Sequence, residues 1–307
     1  MTKAEFFERI KNGVLENLKQ TDPTLDAIIN SFTKINNIVY TGLSFKSDKS
    51  RVSPIVYLDD FFQKYSEEDL SVEEIISRVS DIYRTHASND LSVKVGELTD
   101  YDAIRDHIIP AICNGTRCEE YLKDAPHESM CDLSVYFRLL IGINEDEEGS
   151  ILINSHLMDY WGITYDELKE QAWYNIRNIN PPTFRKMSDV LREMMPSLAD
   201  FDEDEEGFSI GMNILSCQSK CNGAIYLADT ETLSSIASEM DSDLFILPSS
   251  RHEVIILKFS MADTPERWNE MQSMVSEINN TTVSAEDYLS DSCYTFIREH
   301  GIVEKVA

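Results

Sequence analysis

The chain has 307 residues, with 55 acidic against 27 basic side chains and a formal net charge of −28 at pH 7. That length suits one large domain or two modest ones, and 42% apolar residues supply a core and exclude a chain disordered throughout. The negative excess is −12 over residues 1–150 and −16 over residues 151–307; such a field repels phosphate backbones, so direct nucleic-acid binding is not expected.

The opening segment, MTKAEFFERIKNGVLENLKQ, carries charges throughout and places Phe6, Phe7, Ile10, Val14, Leu15 and Leu18 on one helical face. It reads as an amphipathic helix, not as an export leader. No apolar run reaches the roughly 18 residues of a membrane span, so no membrane partner is expected and a cytoplasmic location is. The six cysteines (113, 118, 131, 217, 221 and 293) lack the spacing of a disulfide framework and are expected as reduced thiols.

Strands are expected near residues 27–32 and 38–45, joined by a turn at Lys34 to Asn37. A third strand near 55–58 runs into a short helix that Asp59 would cap. Ser71 and Glu74 form a capping box for an amphipathic helix carrying Ile75, Ile76, Val79, Ile82 and Tyr83. Helical pieces are expected onward to about residue 123. Residues 133–143 read as a strand, NEDEEG (144–149) as a turn and SILIN as the returning strand. Asn154 or Ser155 opens a helix through Trp161; Thr164 with Glu167 caps the next, which ends before Pro181-Pro182. After a second acidic turn, DFDEDEEG (200–207), FSIGMNILS and GAIYLAD read as strands and ETLSSIASEM as a helix. LFILP and EVIILKF read as strands, followed by a helix with Pro265 in its first turn.

This order predicts an α+β fold of antiparallel or mixed sheets with helices packed on one face, in two packed subdomains. Residues 1–125 would form an N-terminal part of helix, strand hairpin and amphipathic helices, and residues 126–307 a β-β-α type C-terminal part.

The blocks YLDDFF (57–62), ILINSHLMDYWGI (151–163), NGAIYLAD (222–229), LFILPSSRHEVI (244–255) and LSDSCY (289–294) span nearly the whole chain. In this order they resemble an uncharacterised bacterial family, domain of unknown function 5688, abundant in gut clostridia. Arg251 stands where the family pattern would have an aliphatic residue. The resemblance implies a bacterial intracellular origin and supplies no activity.

Four groups of residues invite a chemical reading. The turn PSSRHEV presents Ser249, Ser250, Arg251, His252 and Glu253 together. A hydrolase would use a serine as nucleophile, His252 as base and Glu253 as its carboxylate. Triad members normally converge from separate parts of a fold, and no G-x-S-x-G elbow is present, so a hairpin with serines bonded to backbone is the plainer reading. The acidic turn Asp202, Glu203, Asp204, Glu205 and Glu206 starts like a calcium loop, but position 12 falls on Asn213, or on Ser155 for NEDEEG, where a glutamate is required. Cys217 with Cys221 and Cys113 with Cys118 lack the repeated close pairs of a zinc site, so no metal is expected. Asp59 and Asp60 after a strand suggest magnesium, yet no phosphate-binding loop accompanies them; helix cap and first-turn dipole partner is the plainer role. Tyr160, Trp161, Trp173 and Tyr174 fall on helical periods and are expected in the core.

No cofactor is implied. The function expected is a non-enzymatic binding or regulatory protein. One form is an acidic surface that docks on a basic protein or imitates nucleic acid, as a counter-defence factor of a mobile element would. The alternatives are a hydrolase-like enzyme, or a small-ligand sensor, built on the Ser249–Glu253 turn.

Overall fold

A computed structural model describes residues 1–48, 55–88, 98–144, 147–194, 211–262 and 264–306. The described chain forms three antiparallel sheets with helices against them, an α+β fold.

The first sheet has the order β1 (Asp26–Thr33), β2 (Val39–Lys46), β3 (Ile55–Tyr57). Its turn is a short 3₁₀ stretch in which Asn36 and Asn37 take φ of 58° and 53°, a region asparagine tolerates better than most residues. Three helices cover one face: α1 (Lys3–Leu18), α2 (Asp59–Ser66) and α3 (Val72–Ser88). Thr2 and Glu5 close a capping box on α1, and Ser71 with Glu74 bond each other ahead of α3. Phe6, Ile10 and Val14 meet Leu43, Val56, Ile75 and Val79 in this core. Asp59 is not the cap of α2. It lies inside the first turn, where its carboxylate accepts from the Thr41 amide (2.6 Å) and pairs with Lys3 (2.7 Å), tying helix to strand.

After the short helix α4 (Tyr101–Ile104) the chain enters a strand where helix was expected, β4 (Ile108–Asn114). All seven residues are buried, so both faces are covered and no alternation marks the strand. The short helix α5 (Glu119–Leu122) leads to β5 (His127–Met130), β6 (Leu133–Asn144) and β7 (Glu147–Leu152). The twelve-residue β6 carries β4 on one side and β5 and β7 on the other. A division at residue 125 would run through this sheet.

Helices α6 (Ser155–Trp161) and α7 (Tyr165–Ile179) follow with the expected caps, Asn154 and the Thr164–Glu167 box. Asn175 of α7 donates to the carbonyls of Arg105 and Ile108, pinning the helix on β4. Trp161 and Trp173 are partly buried, whereas Tyr160 and Tyr174 are 65% and 67% exposed and are not core residues.

The third sheet is built from β8 (Pro182–Lys186), β9 (Asn213–Cys217), β10 (Leu244–Ser250), β11 (Glu253–Lys258), β12 (Tyr294–Ile297) and β13 (Ile302–Lys305). Its order is β13-β12-β10-β11-β9-β8. Helix α8 (Met187–Met194) follows β8, and α9 (Thr230–Glu239) precedes β10. The sheet is covered on both faces rather than one. Phe245 and Leu247 of β10 face Val275 of α10 (Pro265–Thr281). Leu244 and Ile246 face a core shared with Ile109 and Ile112 of β4, Val135 of β6 and the segment Gly223–Ala228. That segment is a 3₁₀ helix, not a strand; Gly223 to Leu227 are all buried, and an apolar run closed in on every side has no period to read.

Phe6 is fully buried, stacked on Tyr65 at 5.0 Å and edge-on to Phe62 at 5.3 Å. Phe6→Ala is expected to cost about 3–5 kcal/mol, read as a lowered urea midpoint with unchanged slope.

Candidate functional site

The turn 249–253 sits at the tip of the β10–β11 hairpin, with an irregular step in register between Pro248 and Ser250. The Ser249 hydroxyl donates to Glu253 (3.5 Å), and the Ser250 hydroxyl accepts from the His252 amide (3.1 Å). The His252 ring is held at both nitrogens. Nδ1 accepts the backbone N–H of Asn222 at 3.1 Å, which puts the proton on Nε2, and Nε2 donates to Asp287 Oδ1 at 2.9 Å. The carboxylate on the imidazole is therefore Asp287, not Glu253. Among the described residues neither serine hydroxyl bonds the ring, and both ring nitrogens already have partners.

Asp287 is a hub. Arg251 Nε donates to Oδ1 (3.0 Å), the Arg251 amide to the Asp287 carbonyl (2.8 Å), and Ser284 to Oδ2 (2.7 Å). Burial pushes this carboxyl up, but hydrogen bonds from Ser284, His252 and Arg251 together hold it below the ordinary carboxylate range.

On the other side of the hairpin, Gly223 lies against the backbone of the turn. A Cβ there would meet Cys217 N at 2.5 Å, Ser216 Oγ at 2.6 Å and His252 O at 2.7 Å. Ser216 itself donates to the His252 carbonyl (2.8 Å), and the Ala224 amide to that of Arg251 (3.2 Å). Two of the five sequence blocks, 222–229 and 244–255, thus meet at one place, beside Asp287, which stands just ahead of a third, 289–294.

The segment 284–294 continues from Asp287 across all three sheets. Asn36, from the first sheet's turn, donates to the carbonyls of Ala285 (2.8 Å) and Tyr288 (2.9 Å). Asn114 at the end of β4 donates to Leu289 O (3.0 Å), and the Arg117 guanidinium lies 3.4 Å from the Tyr288 ring centre. Asp132, just before β6, accepts from Ser290 (2.7 Å), Ser292 (3.1 Å) and Tyr294 (2.8 Å). Burial raises the Asp132 carboxyl, and the bonds from Ser290 and Tyr294 more than reverse this. Sequence reading missed Asn36, Asn114, Asp132, Asn222 and Asp287; the one available signal was the cluster of hydroxyls in LSDSCY, far more donors than a turn of that length needs.

Asp59 is engaged as described above, while Asp60 is exposed on α2. Both act on Tyr40, whose hydroxyl bonds Glu286 and is pushed upward first by that bond and then by burial and the carboxylates. Asn36 holds one side of the 284–288 loop, and Arg251 with His252 the other. Asp202, Glu203, Asp204, Glu205 and Glu206 lie outside the described residues. Cys113 and Cys118 are buried free thiols, Cys113 donating to Ser134 O (3.8 Å) and Cys118 to Asn36 Oδ1 (3.5 Å), and Cys217 donates to Cys221 O (3.1 Å). Among the described residues no group of three or more His, Cys, Asp or Glu side chains is placed to hold a metal ion.

A groove of about 570 Å³ opens between β5, α7 and β13, lined among others by Cys131, Trp173, Lys169 and Arg177. Its cations are held: Lys169 by Glu128 (2.5 Å), Arg177 by the buried Asp229 (2.8 Å) and by Glu231 (2.7 Å).

Gly223→Ala is expected to destabilise by about 1–3 kcal/mol, read in urea unfolding, because the contacts it would strain are backbone atoms. A second expectation concerns acid. Asp132 and Asp287 have depressed native values, so their contribution is full above the unfolded value of about 3.9 and is lost as pH falls through the lower native values. Asp132→Asn should therefore cost stability near pH 7, and the gap from the unsubstituted chain should narrow toward about pH 3. A gap of constant size would show that the Asp132 charge is not what matters.

Residues 3–298 match a family described as a family of unknown function, DUF5688. No curated protein and no solved structure matches the chain. With nearly all of its length covered by that match, the chain belongs to this family of unknown function.

Proposed function

We propose that this chain is a non-enzymatic binding or regulatory protein of the bacterial cytoplasm, and that it docks through its acidic surface on a basic protein. The observation that carries the reading is how the described cations are used. Arg9 is held by Glu73, Lys123 by Glu120, Arg185 by Glu193 and Arg298 by Asp241, each within the chain. With so many cations neutralised in pairs, the excess behind the charge of −28 is what faces solvent.

The state of His252 supports the same side. A ring fixed between a backbone amide and Asp287 braces a turn and has no free nitrogen for acid–base work. Unpaired cysteines, Cys131 exposed among them, favour a reducing compartment.

The test is capture on the immobilised full-length chain from bacterial lysate. Retention of a basic protein at about 0.1 M salt and its release toward about 1 M, where screening shortens from ~10 Å to ~3 Å, is the expected result. The retained protein, once purified, should rebind with the same salt dependence. Capture that yields no basic protein at the lower salt would sink the reading.

A further inference from the structure

The three helices of the first sheet cover only one of its faces. Strand alternation and register fix what lies on the other. Ala27, Ile29, Leu43, Phe45 and Val56 point into the helical core. Their neighbours Ile28, Phe32, Tyr40, Ser44, Ile55 and Tyr57 point away from it. Ile28 is 52% exposed and Ile55 41%.

These side chains form a platform. The Phe32 and Tyr57 rings meet edge-to-face at 6.0 Å, and Tyr40 and Tyr57 lie 5.2 Å apart. Gly42 sits beneath them; a Cβ there would come within 2.7 Å of Ile55 and 2.8 Å of Phe32, so the missing side chain lets the two close over the strand. The platform already accepts a cation, because the Lys34 ammonium lies 5.0 Å from the Tyr57 ring centre. Its rim is negative. Asp59, with Asp60 next to it, is bonded to the Thr41 amide beside Tyr40, and Glu286 lies in the loop whose carbonyls Asn36 holds; the three carboxylates push the Tyr40 phenol up, Glu286 most. Asp59 is neutralised by Lys3, whereas Asp60 has no ion-pair partner among the described residues.

The geometry points to this face as the docking surface for an arginine-bearing segment of a basic protein, with a guanidinium laid on the Tyr40 and Tyr57 rings beside Asp60 and Glu286. This rests on the basic-partner reading above and deepens it. A guanidinium suits the place because it is planar, stacks on aromatic rings and is weakly hydrated, while its N–H groups reach carboxylates at the ring edge. The same carboxylates repel a nucleic-acid phosphate. A second copy of the chain would bring its own −28 against this one.

The test uses the full chain and a fluorescent peptide of alternating arginine and glycine, read by anisotropy at about 0.1 M salt. Tyr57→Leu and Asp60→Asn are each expected to weaken binding about two- to fivefold, the size of an exposed cation–π or ion-pair contact. Lys34→Gln, which vacates the ring, should strengthen it. Ile28→Lys, a change at an exposed position that does not enter the core, should weaken it as well. Glu270→Gln, an equal loss of charge on α10, should leave it nearly unchanged.

Equal weakening by Asp60→Asn and Glu270→Gln, with Tyr57→Leu at the original affinity, would overturn this face and leave general acidic attraction standing. A captured basic partner that Tyr57→Leu and Ile28→Lys still bind as before would do the same. Failure to capture any basic protein overturns the broader reading instead. Protection of the face by single-stranded oligonucleotide, or dimerisation lost in Ile28→Lys, would replace the proposed occupant.

Discussion

Asp132 holds the fold at a point where little else could. Its carboxylate accepts from Ser290, Ser292 and Tyr294, donors that lie about half the chain away. A half-buried charge with three donors is stabilised more than it is penalised, and any one donor removed leaves part of that charge unsatisfied. The bonds fix the start of β12 and, through the preceding residues, the segment that runs back to Ser284. Asn36, Asn114 and Asp287 then attach that segment to the first sheet, the second sheet and the β10–β11 hairpin. The first sheet, with its own core, and the second and third sheets, which share one, acquire a common strap.

The strap also explains the histidine. A ring between an amide and a carboxylate resembles two-thirds of a catalytic arrangement, but the order of partners decides its role. In a hydrolase the carboxylate orients the ring so that the other nitrogen faces a hydroxyl. Here the other nitrogen faces the Asn222 amide, and Asn222 stands at φ 60°, just ahead of a glycine that admits no side chain. The backbone of 222–224 is thus pressed onto the turn, and the imidazole supplies the acceptor that a buried N–H requires. His252 does for Asn222 what a carbonyl would do in a regular sheet.

Elements whose signals are local were legible in the sequence. The Ser71–Glu74 and Thr164–Glu167 boxes, Asn154 and Pro265 each mark a helix start where a helix starts. The hairpin at 249–253 was legible because a turn sits between two apolar runs. β4 and the 223–228 helix were not, for one reason: burial on all sides removes the period that distinguishes strand from helix. The partners of the turn were hidden for another. His252 meets Asn222 and Asp287 at separations of 30 and 35 residues, and Asp132 meets Ser290 at 158. Only the packing of sheets brings such residues together, so no spacing rule points to them. Asp59 and Asp60 show the limit from the other side. They are adjacent in the chain, yet one is locked to Thr41 and Lys3 and the other is left exposed.

That contrast separates two uses of negative charge. Asp132, Asp229, Asp287 and Asp59 each have donors or cations within the chain, and their charge is consumed in holding elements together. Exposed ion pairs add little to stability, about 0–1 kcal/mol each, so the paired cations do not account for the excess of acid by strengthening the fold. The excess instead works against the fold, since like charges repel in the compact state. A surface that keeps such charge holds a standing repulsion that an outside cation would relieve, and whatever binds only the native state stabilises it in proportion. On the proposed reading the charge and the unhelixed face of the first sheet act together: an outside cation would gain most beside the Tyr40 and Tyr57 rings, near Asp60, which has no ion-pair partner among the described residues.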